Sequence, residues 1–201
     1  FDWKSSREAR SVWQGFLWSP RLYIPLLHLI KTQLFETANH TEQLGRYRQQ
    51  YATFLTYVAL TLPEGITHKD LITVFRVFKR EDLEGASQAL LQAFQSADTE
   101  KEVYWDSIVR IFIQKIWPKS KELVSSRIAE NFAQVAITSR NRFPEALKVV
   151  QSWIPSIKEP SMVIDKLEES GLCRDFPKES LSLLDSMISE TTNLRGFWSS
   201  D

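Results

Sequence analysis

The sequence predicts an all-α fold: about ten helices packed as stacked antiparallel helical hairpins, an irregular α-solenoid of the HEAT or TPR kind. Three observations carry that expectation. Apolar residues recur along almost the whole chain at helical spacing, i, i+3, i+4, i+7. Six glycines stand against seven Trp, twelve Phe and five Tyr, which leaves little material for β-turns and much ring surface for packing helices together. Finally, the phrase Phe-Pro occurs at Phe143-Pro144 and at Phe176-Pro177, 33 residues apart, and each copy opens an amphipathic run. Proline suits a first helical position because its missing N–H would have no partner there, and the preceding ring can pack back on the first turns. The runs that follow are Ala146, Leu147, Val150, Trp153 and Ile154, then Leu181, Leu184 and Ile188. Each is one apolar stripe that a neighbouring helix must cover.

Taken in order, Ser5 to Trp18 reads as a first helix through Ala9, Val12, Trp13 and Phe16, ended by Ser19-Pro20. Pro20 starts a second, through Leu22, Tyr23, Leu26, Leu27, Ile30 and Leu34. Thr41 opens a third that carries Tyr47, Tyr51, Phe54, Leu55 and Val58 and stops at Pro63-Glu64-Gly65. Thr67-His68-Lys69-Asp70 has the form of a cap and first turn, followed by Leu71, Val74, Phe75 and Phe78. Asp82 or Glu84 begins a longer helix to Phe94, and Val103 to Ile116 forms the next, closed by Trp117-Pro118. Ser120 to Ser139, Phe143 to Ile154, a helix around Met162, Leu167 and Gly171, and Phe176 to Ile188 complete the set. Trp18, Trp117 and Trp153 each precede a proline by one or two residues at a helix end, where a large ring seals the corner between consecutive helices.

The 201 residues suffice for one substantial core, and residues 1–201 are expected to form a single helical domain, 43% hydrophobic and 25% charged. The formal charge is zero, from 25 basic and 25 acidic side chains, so there is no general field for nucleic acid or an anionic bilayer. One cysteine, Cys173, excludes an intramolecular disulfide and any zinc site built on a Cys pair within the chain. Together with the absence of an apolar run long enough to span a membrane, this predicts a cytoplasmic chain with no membrane contact. A start at Phe1-Asp2-Trp3, without an initiator Met, suggests a piece excised from a longer soluble protein.

No residue constellation compels a reaction. His28, His40 and His68 lack metalloprotease spacing and neighbouring ligands, so neither a metal nor a cofactor is expected. Arg21 and His28 follow the Arg-then-His spacing of small helical ribonucleases, where two cations hold a phosphodiester; against this, His28 lies among Leu26, Leu27 and Leu29. Cys173 has no histidine nearby to act as base and reads as a small apolar filler. Residues 101–150 hold nine basic and five acidic side chains, whereas 151–201 hold five and nine. Lys115, Lys119 and Lys121 flank Trp117 and, with Arg140, Arg142 and Lys148, define the alternative of a nucleic-acid face; a solvated helix end explains the same lysines.

The segment Trp13-Gln14-Gly15-Phe16-Leu17-Trp18-Ser19-Pro20-Arg21-Leu22-Tyr23-Ile24-Pro25-Leu26-Leu27 resembles a helical C-terminal domain of large bacterial sirtuin-like (SIR2-type) antiphage defence proteins. Leu44-Gly45, Tyr51-Ala52, Tyr104-Trp105, Ile116-Trp117-Pro118-Lys119, Phe143-Pro144-Glu145-Ala146 and Gly171-Leu172-Cys173 fit the same pattern, so the likeness covers most of the chain. It implies a larger parent protein whose sirtuin-like part degrades NAD on infection, with this chain as its C-terminal part, the sensing or scaffolding end. The enzymatic motifs of that family lie outside these residues, and none transfers here. The expected function is therefore a non-catalytic protein-interaction and regulatory module, contacting a protein partner or a neighbouring domain of the same chain. Arg21, Tyr23, Trp117 and Lys119 are the candidate contact residues, being the aromatic and cationic types that binding hot spots favour. A nucleic-acid-binding helical module, or a helical ribonuclease using Arg21 and His28, is the alternative.

Overall fold

The computed structural model describes residues 48–61 and 67–188, and every regular element among them is helical. The expected all-α class is the observed one. The first two expected helices and the start of the third lie outside the described residues. The chain divides into two compact units, with residues up to Ala93 and Lys115–Lys119 in the first and Phe94–Gln114 and Ser120 onward in the second.

In the first unit, α1 (Arg48–Thr61) and α2 (His68–Phe75) are joined by α3 (Arg80–Ser96) as far as Ala93. The helix α2 starts at a capping box, as the sequence predicts. The Thr67 hydroxyl accepts from the Asp70 N–H at 3.2 Å and the Asp70 carboxylate accepts from the Thr67 N–H at 3.3 Å, so two donors without intrahelical partners are satisfied. Tyr51, Phe75, Phe78 and Trp117 form one aromatic cluster, with Phe75 5.0 Å from Phe78 and 5.8 Å from Trp117 between ring centroids. Burial pushes the Tyr51 phenol far above its ordinary range. The helices α1 and α3 meet at Gly85, where a Cβ would lie 2.5 Å from the Thr53 hydroxyl and 2.8 Å from the Gln49 carbonyl. Beside this crossing, buried Asp82 takes the Arg48 guanidinium at 2.6 Å and accepts from the Lys79 N–H at 2.8 Å.

The second unit is organised around α6 (Ser126–Thr138), which packs on α7 (Phe143–Val150), α8 (Ser161–Ser170) and the 3₁₀ turn Ile154–Ser156. Residues on all sides of α6 are buried, among them Ile128, Phe132, Ala133, Val135 and Ala136, the pattern of a helix enclosed by neighbours. It begins later than the sequence suggested. Lys121–Leu123 make a 3₁₀ turn, Val124 is extended, and Ser125 caps the helix by accepting from the Ile128 N–H. The helix α7 likewise ends at Val150 rather than Ile154, because Pro155 removes a donor and keeps Ile154 from continuing the helix.

The expected helix from Val103 to Ile116 is α4 (Lys101–Tyr104), a π-helical turn (Trp105–Val109) and α5 (Arg110–Lys115). The Arg110 N–H reaches the Trp105 carbonyl, the i to i+5 bond that defines such a turn. Gly171, at φ 75°, ends α8 in the left-handed conformation that favours glycine, and α9 (Leu172–Asp175) and α10 (Pro177–Ile188) follow. The two Phe-Pro phrases meet, since the Phe143 and Phe176 rings lie 6.3 Å apart at the starts of α7 and α10. Trp153 packs 4.6 Å from Phe132, sealing the corner before Pro155.

The stripe expected on α10 needs correcting. Ser180, Leu183 and Met187 are buried, while Leu181 is 66% and Ile188 52% exposed. The helix is turned by one position, and the Ser180 hydroxyl thereby becomes buried without a partner among the described residues.

Candidate functional site

The last turns of α3, α6 and α8 border a cleft of 610 Å³ within the second unit, a volume that suits a small ligand or a peptide side chain. Its wall carries Lys101, Arg140 and Lys166 against Glu102, Glu169 and Asp175. Five of these six charges are engaged. The Lys101 ammonium donates to the carbonyls of Phe94, Gln95 and Ala97 at 3.0, 3.0 and 2.7 Å, using its three protons to close the C-terminus of α3. Lys166 pairs with Glu169 at 2.5 Å, Glu102 accepts from the Asn141 N–H at 3.4 Å, and Asp175 takes Arg174 at 3.1 Å.

Arg140 differs. It follows the Ser139 cap of α6 at φ 52°, the positive-φ non-glycine position among the described residues, and its exposed side chain makes no ion pair or hydrogen bond there. A left-handed conformation just past a helix end is where glycine normally stands. The adjoining 3₁₀ turn, Arg140–Arg142, is anchored from the π-helical turn, for Asp106 holds Arg142 through bonds of 2.9 and 3.0 Å. That anchor keeps the strained residue at the cleft wall.

The expected contact residues have different fates. Arg21 and Tyr23 lie outside the described residues, as does His28. Trp117 is not a surface residue. It is 3% exposed and its ring packs tilted against Phe75, so of the two roles its position allowed, sealing a helix corner is the one it fills. Lys119 is exposed, and partial desolvation lowers its pKa below the ordinary lysine value. Lys115 and Lys119 belong to the first unit and Lys121, Arg140, Arg142 and Lys148 to the second. Arg142 is already shared between Asp106 and Glu145. Cys173 is exposed rather than an apolar filler, because the short α9 buries Leu172 and turns the next residue outward.

Sequence reasoning named Arg140 only within the nucleic-acid alternative and missed Lys101. The one available signal for Arg140 was its place directly after a helix end, where glycine is usual; nothing in the spacing of Lys101 indicates the carbonyls it reaches. Among the described residues no group of three or more His, Cys, Asp or Glu is placed to hold a metal ion, and no helix is long and apolar enough to cross a membrane. No family model, curated protein or solved structure matches the chain.

Proposed function

We propose that the chain is a protein-contact and regulatory module, the sensor or scaffold of a larger bacterial cytoplasmic protein, with chemistry left to another part of that protein. The observation that supports this reading best is the cleft at the ends of α3, α6 and α8, a concave polar surface carrying side chains of both signs. Mixed-sign walls suit a protein surface, whose own charges alternate, better than a uniform polyanion. Exposed apolar side chains on α8 and α10, Met162 at 60% and Leu181 at 66%, add contact area of the same kind. The sequence resemblance to the C-terminal domain of sirtuin-like antiphage proteins points to the same role. On that reading the neighbouring part degrades NAD and this chain governs when it does so.

The test is amine-reactive cross-linking of the native full-length protein in cells, followed by mass spectrometry. Exposed Lys158, Lys166 and Lys178 are expected to link to lysines outside these 201 residues, in a neighbouring domain or a partner. Links confined to this chain would overturn the proposal.

A further inference from the structure

We infer that the cleft receives a single carboxylate from an acidic peptide segment, with Arg140 as the residue that captures it; this rests on the contact reading above. The inference starts from which charges are still available. Lys101 has no proton left to offer, Lys166 is held by Glu169, and each wall carboxylate already has an N–H partner. Among the described residues the Arg140 guanidinium, with five N–H groups in a planar fork, is the cation left open on that wall. Two parallel bonds from such a fork to a carboxylate are stronger and more directional than a lysine contact.

The rest of the wall limits how much negative charge can enter. Glu102, Glu169 and Asp175 surround the site, and the C-terminal ends of α6 and α8 add partial negative charge. A phosphate dianion or a nucleic-acid backbone would meet these at close range with one open cation to oppose them. A monoanionic side chain gains the guanidinium without that repulsion. Backbone conformation supports the same assignment. Glycine would hold the φ of 52° at no steric cost, so arginine there sacrifices some stability for a side chain that makes no ion pair or hydrogen bond among the described residues.

The test uses the full 201-residue chain, with an environment-sensitive fluorophore on Cys173, its one cysteine, which is exposed and lies between the cleft residues Leu172 and Asp175. The probes are a blocked Gly/Ser peptide bearing one glutamate, its glutamine counterpart, inorganic phosphate, and a short single-stranded oligonucleotide. The glutamate peptide is expected to give a saturable change that weakens with salt, and the glutamine peptide to bind at least about tenfold more weakly, as loss of a charge-assisted pair requires. Arg140→Gln should lower glutamate-peptide affinity by a similar factor, and Arg140→Lys should recover only part of it. Arg140→Gly should lose binding while its urea midpoint stays level or rises, which separates capture from folding. Amide resonances of Thr138 and Asn141 should move with the peptide in the unlabelled chain. An unchanged response in Arg140→Gln, no response to the glutamate peptide in either readout, or tighter binding of phosphate or oligonucleotide would overturn the assignment. Loss of the external cross-links with peptide capture intact would instead count against the contact reading alone.

Discussion

Replacing Asp82 by alanine is expected to remove one of the strongest polar attachments in the first unit. Its side chain is 3% exposed and that of Arg48 11%, and the guanidinium reaches both carboxylate oxygens, with bonds of 3.2, 3.2 and 2.6 Å. Asp82→Ala removes a carboxylate from the guanidinium where little water can replace it, a loss of about 3–5 kcal/mol for a buried pair broken on one side. Arg48 retains some access to water, which places the effect near the lower end. The Lys79 N–H also loses its acceptor at the start of α3, worth about 1 kcal/mol. We therefore expect a total of about 4 kcal/mol, or roughly a 10 °C fall in Tm for a chain of this length. Asp82→Asn keeps an acceptor for Lys79 and should cost about half as much. Urea unfolding followed by far-UV circular dichroism measures the change, and native-state hydrogen exchange at α1 and α3 amides locates it in the first unit. The double variant Arg48→Ala/Asp82→Ala should cost less than the sum of the two single changes by about 2 kcal/mol. Strict additivity, or a loss below about 0.5 kcal/mol for Asp82→Ala, would refute the view that this pair holds α1 against α3.

Gly85→Ala should destabilise by about 1–3 kcal/mol although alanine is the better helix former, because its methyl group must displace the Gln49 carbonyl as well as the Thr53 hydroxyl; a stability equal to or above the parent in urea would contradict the close approach. Phe143→Ala should cost about 3–5 kcal/mol by emptying a fully buried site against Phe176, and calorimetry that shows under 1 kcal/mol would mean the two Phe-Pro phrases do not support each other. Lys101→Met should release the three carbonyls at the end of α3 and speed hydrogen exchange in its last turn, with a loss of about 1.5–3 kcal/mol; unchanged exchange at Phe94 to Ser96 would argue against the clamp.

Much of the fold was legible because its causes are local. Helical periodicity, the Thr67–Asp70 capping box and the tryptophan corners at Trp117 and Trp153 depend on neighbours a few residues away, and among the described residues they appear where the sequence indicates. Errors fell where two local readings were nearly equal in strength. On α10, Leu181, Leu184 and Ile188 form as regular a stripe as Ser180, Leu183 and Met187, so the choice between adjacent faces depended on what packs against them. Trp117 could have served equally as an exposed anchor or a corner seal, and the position of Phe75 decided it.

By itself the sequence determined the class of fold, the order and approximate limits of the helices among the described residues, and the absence of an overall charge that would draw polyanions. Only the tertiary structure decided which helix face is covered, which of the clustered charges neutralise one another, and that Arg140 is left open at a cleft wall. The physical reason is range. A helix is specified by hydrogen bonds and contacts four residues apart, whereas Arg48 and Asp82, Asp106 and Arg142, and the ends of α3, α6 and α8 meet across tens of residues, at distances that no spacing along the chain encodes.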